Sequence, residues 1–94
     1  MSLGVDIIKH GGERPTERYK RDKLRSSIVA TCLSVRAPEG QAEDVADLVC
    51  DAVETWLKKH SEVTSHDLRT VAARHLKKFH PEAAYLYEQH RITI

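Results

Sequence analysis

Apolar residues recur at helical intervals through most of the chain. Between positions 21 and 35, Leu24, Ile28, Cys32 and Val35 follow one another at spacings of four, four and three. Such a stripe is typical of a helix that buries one face against its neighbours. Comparable stripes run through positions 41–59, 66–76 and 83–87. The pattern therefore predicts four helices, at about 21–35, 41–59, 65–79 and 81–91.

The first twenty residues follow a different pattern, which predicts a β-hairpin. The segment at positions 5–9 is short and rich in β-branched residues, and the turn-forming residues His10, Gly11 and Gly12 come next. Pro15 interrupts the segment that follows, and positions 16–19 then fit a return strand. A short N-terminal hairpin followed by four helices makes the predicted fold class α+β, mainly α.

Local signals place the boundaries between the predicted helices. Pro38 and Gly40 break the chain between the first two helices. Thr64 or Ser65 is expected to cap the third helix, because a hydroxyl oxygen can accept a hydrogen bond from a free amide of the first turn. Pro81 suits the first position of the fourth helix, where its missing amide hydrogen costs nothing.

Length and composition limit the class of protein. A chain of 94 residues has room for one hydrophobic core, so we expect a single domain over 1–94. Its 40% hydrophobic and 31% charged residues are ordinary for a globular protein, and no apolar run has the length of a membrane span. The N-terminus lacks the features of a signal peptide, and two lone cysteines suit a reducing compartment, so the predicted location is cytoplasmic.

The charges nearly cancel overall but are unevenly distributed. The chain has 15 Lys and Arg residues against 14 Asp and Glu residues. Seven basic and three acidic residues lie between Lys9 and Arg25, whereas six acidic residues and no basic ones lie between Ala37 and Glu54. The balanced total argues against a partner that is a long nucleic acid or a membrane surface. The basic N-terminal third remains compatible with a small anionic ligand.

Motifs for catalysis or metal binding are missing from the sequence. Neither a Walker loop nor a GxSxG or HExxH motif occurs. Cys32 and Cys50 fall on or beside apolar stripes, where buried, unreactive thiols are expected. No two of the six histidines have the spacing of four that places a ligand pair on one helix face. We therefore predict neither an enzyme nor a protein-bound metal site.

The basic segment is the strongest candidate for ligand binding. Lys9 precedes a glycine turn that allows the backbone to approach a ligand, and Lys23 lies in the first turn of the first predicted helix. Amide groups at a helix N-terminus, with a lysine nearby, favour a phosphate group. Glu17 could accept a hydrogen bond from the amine of a base. These features indicate either a small-anion or nucleotide site or a solvated charged face.

Three segments carry further motifs. In the first, residues 8–12 read IKHGG and residues 17–24 read ERYKRDKL. It resembles the opening of the ATP-cone family, which begins with a strand ending Val/Ile-Lys-Arg-Asp-Gly and continues Glu-x-Phe-Asp-x-x-Lys-Leu/Ile into a helix. Residues 63–68 read VTSHDL, similar to the start of a later family helix, and residues 81–91 read PEAAYLYEQHR, similar to the closing helix. The likeness extends over nearly the whole chain.

This resemblance implies a β-hairpin that covers a cone-like bundle of four helices and a regulatory role. ATP-cones occur in ribonucleotide reductases and in the zinc-ribbon repressor of reductase genes, where they sense ATP against dATP and alter subunit assembly. It implies ATP or dATP as ligand, with Mg²⁺ as counter-ion, and a homo-oligomer or a separate protein as partner. The implied nucleotide-binding residues are Lys9 and His10 for the phosphates, Glu17 for adenine, Lys23 at the first helix, Thr64, Ser65 and Arg69 near the ribose, and Arg91 at the closing helix.

Departures from the family pattern leave an alternative open. His10 stands where the family has arginine, Gly11 replaces an aspartate, and the hairpin loop with Pro15 is longer. A degenerate ATP-cone would keep the fold and act as a protein-interaction or transcription-regulating module without binding nucleotide. A DNA-binding face would instead need Arg14, Arg18, Arg21 and Arg25 spread over one surface. The chain could also be a fragment of a larger protein.

Overall fold

Four helices and a small sheet form the fold, in a computed structural model that describes residues 4–8 and 16–89. The predicted α+β, mainly α class is confirmed. The elements in chain order are β1 (Asp6–Ile8), β2 (Glu17–Arg18), α1 (Arg21–Ser34), α2 (Glu39–Leu57), β3 (Glu62–Thr64), α3 (Ser65–Lys77) and α4 (Pro81–Gln89). No helix within these described ranges is long and apolar enough to cross a bilayer.

The sheet has one strand more than the sequence predicts. β1 and β2 pair antiparallel, with Ile7 opposite Glu17, as the hairpin prediction requires. The turn predicted at His10, Gly11 and Gly12 lies outside the described residues. β3 pairs parallel with the other edge of β1, with Ile7 opposite Val63. A strand of three residues shows no periodicity, so the sequence offers no signal for this pairing.

The predicted helices are confirmed with small shifts at their ends. α2 begins two residues earlier than predicted, because Pro38 is its N-cap and its carbonyl accepts a bond from the Ala42 amide at 2.9 Å. Thr64 is the N-cap of α3, and its Oγ1 accepts a bond from the Asp67 amide at 3.0 Å. Pro81 opens α4, as predicted.

All four helices and the sheet contribute to one hydrophobic core. The apolar stripe of α1 is buried through Leu24, Ile28 and Cys32, and Val35 packs against its edge. Ile7 and Val63 bring the sheet into the same core. The ten largest side chains that are fully buried come from all four helices, and they are Tyr87, Leu24, Ile28, Leu57, Leu68, Leu76, Val49, Val53, Cys32 and Cys50.

The C-terminal end of α1 holds a non-glycine residue in a left-handed conformation. Arg36 has φ 64°, and the bonds from the Arg36 amide to the Leu33 carbonyl and from the Ala37 amide to the Cys32 carbonyl form a Schellman motif. Glycine normally occupies this position because a Cβ atom is strained there. The helix end is therefore a place where glycine should stabilise the fold.

We expect Arg36→Gly to raise the free energy of unfolding by about 0.5–1 kcal/mol, since removing Cβ relieves the left-handed strain. The measurement is urea denaturation followed by circular dichroism. Lys58→Gly is the matched control, because Lys58 is the C-cap of α2 with φ −58° and should lose stability on the same change. Equal effects of the two substitutions would contradict this interpretation.

Candidate functional site

A shallow cleft lies where the sheet meets the first turns of α1 and α3. Glu17 reaches it from β2 and Lys23 from the first turn of α1, and the Lys23 ammonium contacts Glu17 Oε1 at 2.6 Å. Both side chains are about one-third exposed. The cleft has a cavity volume of about 10 Å³ and is lined by Ile7, Glu17, Arg18, Tyr19, Lys20, Lys23 and Leu68.

The link between β2 and α1 holds the floor of the cleft in place. The Tyr19 amide donates to the Val5 carbonyl at 2.8 Å, and the buried Tyr19 side chain donates from its hydroxyl to Glu54 Oε2 at 2.8 Å. Burial raises the pKa of Tyr19 well above its usual value, and the bond to the Glu54 carboxylate adds to the effect. Tyr19 therefore stays a neutral hydrogen-bond donor that joins the sheet to α2.

The end of β1 lies beside the start of α3. In the parallel register Ile8 is opposite Thr64, the exposed N-cap of that helix, and the half-buried Ser65 follows as its first residue. A parallel register puts the carboxyl ends of β1 and β3 on the same side of the sheet. Lys9, His10 and Arg91, which the sequence also assigns to the site, lie outside the described residues.

Arg69 lies one residue beyond the cleft-lining Leu68 and interacts with α4. Its side chain is half-buried with its Nε atom enclosed, and its positive charge acts on the phenol of Tyr87. Burial raises the pKa of Tyr87 to about 12, while the bond to Ser27 and the charge of Arg69 oppose that rise. The hydroxyl oxygens of Ser27 and Tyr87 are 2.9 Å apart, which joins α1 to α4.

Two arginines of the basic N-terminal third form ion pairs between α1 and α2, and the sequence pattern does not predict these pairs. The Arg21 guanidinium donates to Glu54 Oε1 at 3.0 Å and lies 2.9 Å from a carboxylate oxygen of Asp51. Arg25 donates to Asp47 Oδ1 at 2.7 Å, and this bond holds the pKa of the Asp47 carboxyl below its usual value. The acidic residues of α2 thus neutralise basic residues of α1. We call this the α1–α2 ion-pair cluster.

Both cysteines are buried in the helical core. Burial raises the pKa of Cys32, and burial with nearby carboxylates raises the pKa of Cys50 to about 12 in spite of the opposing charge of Arg21. A raised thiol pKa leaves little reactive thiolate at neutral pH. Across the described ranges, no three His, Cys, Asp or Glu side chains are grouped closely enough to hold a metal ion.

We expect both thiols of the native protein to react slowly with Ellman's reagent at pH 8, because each is enclosed and protonated. In 8 M urea both thiols should become accessible and react rapidly, at two equivalents per chain. The time course of absorbance measures both rates. Rapid modification of either cysteine in the folded protein would contradict its placement in the core.

The structure brings together some of the residues assigned to the site. Glu17 and Lys23 share one cleft, whereas Thr64, Ser65 and Arg69 do not line it, and Leu68 faces it from α3 instead. Comparison with models of known protein families gave no match, and comparison with curated proteins gave none either. The side chains of the cleft and their geometry are therefore the basis for a functional proposal.

Proposed function

We propose that this chain is a regulatory module that binds an adenine nucleotide, ATP or dATP with Mg²⁺ as counter-ion, and controls the assembly or activity of a partner. The observation that carries the proposal is the contact between Glu17 and Lys23 in one cleft, at the first turns of α1 and α3. A carboxylate and an ammonium side by side offer an acceptor for the adenine amine and a donor for a phosphate. This arrangement matches the roles implied by the resemblance to ATP-cones.

Binding would require the two side chains to exchange partners. Lys23 would leave Glu17 for a phosphate oxygen, and the carboxylate of Glu17 would then accept from the adenine amine. Lys23 is the third residue of α1, which has no side-chain cap, and Leu68 is the fourth residue of α3, so first-turn amides of both helices lie nearby. In α3 the Asp67 amide is already bonded to Thr64 Oγ1. Such first-turn amides favour an anion, while the side chains of Ile7, Tyr19 and Leu68, which are at most 3% exposed, close the bottom of the cleft.

The charge arrangement favours a single nucleotide over a long nucleic acid. Arg18 lies 3.7 Å from Asp6, and Arg21 and Arg25 belong to the α1–α2 ion-pair cluster. Three of the four arginines that a DNA-binding face would need therefore face carboxylates, and the fourth, Arg14, lies outside the described residues. A phosphate backbone would have to compete with these carboxylates.

We place the protein in the cytoplasm, since two free buried thiols suit a reducing compartment. We propose a non-enzymatic role, in which the bound nucleotide changes contacts with a second copy or with a separate protein. Conversion of ATP to ADP by the purified chain would contradict that part of the proposal.

Isothermal titration calorimetry with ATP and with dATP, each in the presence of Mg²⁺, tests nucleotide binding. We expect saturable heat with at least one nucleotide, and binding should weaken on Lys23→Ala because a charge-assisted contact is lost. Lys58→Ala is the matched control, since Lys58 is exposed at the C-terminal end of α2 and does not line the cleft. The absence of heat with both nucleotides would refute the binding proposal.

A second candidate is a protein-interaction or transcription-regulating module that keeps the fold without binding nucleotide. The ion pair between Glu17 and Lys23 favours it, because these groups already satisfy each other. The cavity volume of the cleft, about 10 Å³, also lies far below the roughly 300–1,000 Å³ that is usual for small-molecule sites. Calorimetry separates the two candidates, since this one predicts no heat with either nucleotide.

A further inference from the structure

A second concave surface runs between the outer faces of α3 and α4. Its volume is about 320 Å³, and it shares no lining residue with the cleft at Glu17 and Lys23. Ala73 and Ala84 lie at the bottom, where their short side chains leave the depression between the helices. Arg74 and Lys77 line the α3 side, and Tyr85 lines the α4 side. We call this surface the α3–α4 groove.

The groove combines unneutralised positive charge with an exposed aromatic ring. In the described part of the chain, neither Arg74 nor Lys77 has a carboxylate oxygen within 4 Å, in contrast to the arginines of α1. Burial, and after it the charges of Lys78 and Arg74, lower the pKa of His75 on the same helix. The Tyr85 side chain is 64% exposed, unusually high for a large ring.

Tyrosine and arginine beside a groove are the residues that most often dominate binding energy at protein interfaces. The groove is open to solvent, which suits a polypeptide segment better than a small molecule that needs enclosure. Glu88 lies on the α4 side, so negative charges of a bound segment would be directed away from it toward α3. The charge pattern therefore selects an acidic occupant with an apolar residue among its acids.

We propose that the α3–α4 groove is a docking surface for an acidic peptide segment of a partner protein. An apolar side chain of that segment lies over Ala73 and Ala84 against the ring of Tyr85. Carboxylates on either side of it contact Arg74 and Lys77. This surface supplies the contact with a partner that the proposed regulatory function requires, and it does so without using the nucleotide cleft.

A random library of twelve-residue peptides displayed on phage, selected against the immobilised full chain, tests the docking proposal. The expected result is enrichment of sequences with Asp or Glu on both sides of an apolar residue. The most enriched peptide is then synthesised with a fluorescent label, and its affinity is measured by fluorescence anisotropy. Binding should weaken between 50 and 300 mM NaCl, since exposed charge pairs are screened by salt.

Variants of the groove make the test specific. The double variant Arg74→Ala/Lys77→Ala and the single variant Tyr85→Ala should each lower the affinity for the peptide about tenfold, as expected for interface residues of these types. Lys58→Ala/Lys59→Ala removes the same charge at exposed positions away from the groove and should change affinity less than about twofold. All five positions are exposed, so circular dichroism should show every variant folded.

Three results would overturn the proposal: no enriched peptide, an enriched motif without acidic residues, or equal binding by the groove variants and the lysine control. The nucleotide proposal is tested separately. Lys23 lies outside the groove, so Lys23→Ala should leave the affinity for the peptide unchanged. The groove variants, in turn, should leave the heat of ATP binding unchanged. Failure of one proposal can therefore be told from failure of the other.

Discussion

Replacing Lys9 and Lys23 together with alanine is expected to weaken ATP binding at least a hundredfold. A hydrogen bond that involves a charged group contributes about 1.5–3 kcal/mol, so two of them account for roughly 3–6 kcal/mol of binding energy. Lys23 already lies in the cleft beside Glu17, and Lys9 follows the strand that ends next to the N-cap of α3. Isothermal titration calorimetry of both proteins with ATP and Mg²⁺ gives the ratio of affinities.

The control for this double variant removes two lysines elsewhere. Lys58 and Lys59 are exposed beyond the end of α2, so replacing both lowers the net charge equally without touching the cleft. We expect this control to bind ATP like the native chain, apart from a small effect of net charge that added salt removes. An equal loss in the two double variants would mean that overall charge, and no defined site, attracts the nucleotide.

Tyr87→Ala is expected to lower the free energy of unfolding by about 3–5 kcal/mol, as is usual for removal of a buried aromatic side chain. Tyr87 is 0% exposed, and its hydroxyl is bonded to Ser27 on α1. The substitution would leave a cavity between α1, α3 and α4 and remove this link. For a domain of this size, such a loss lowers the melting temperature by roughly 15–30 °C, which differential scanning calorimetry measures.

Tyr85 provides the matched control on the same helix. Tyr85→Ala removes the same atoms from an exposed position and should change the free energy of unfolding by less than about 0.5 kcal/mol. Tyr87→Phe removes only the hydroxyl and should cost about 0.5–1.5 kcal/mol. Similar losses for the two alanine variants would contradict the packing of α4 against the core.

The helical part of the fold could be predicted from sequence because its signals are local. Each apolar stripe identifies a buried face, and residues such as Pro81 and Thr64 mark helix starts through interactions with the next few residues. α2 starts two residues before the position that the sequence predicts, because Pro38 acts as a cap just before Glu39. Local patterns therefore place elements well and their exact ends less well.

The parts that could not be predicted depend on contacts between distant positions. β3 forms because Val63 pairs with Ile7 across more than fifty residues, and three residues show no periodicity. The sequence shows a basic segment and an acidic one, but not that Arg21 and Arg25 are paired with the acids of α2. That pairing leaves Lys23 and Glu17 as the charged pair at the cleft.

Of the site assigned from the sequence, the meeting of Glu17 with Lys23 could be anticipated, since β2 leads directly into α1. The contribution of α3 to the cleft could not be anticipated from the sequence. Leu68 faces the cleft, while its neighbour Arg69 interacts with Tyr87. Which side of α3 faces the sheet depends on the parallel pairing of β1 with β3, which has no sequence signal.

An NMR titration of the ¹⁵N-labelled chain with ATP and Mg²⁺ would locate nucleotide binding residue by residue, because each amide reports on its own surroundings. We expect saturable shifts that cluster at Glu17, Lys23 and Leu68, with little change at Lys58 or Lys77. Unchanged spectra at millimolar ATP, or shifts confined to the α3–α4 groove, would contradict the assignment of this cleft as the nucleotide site.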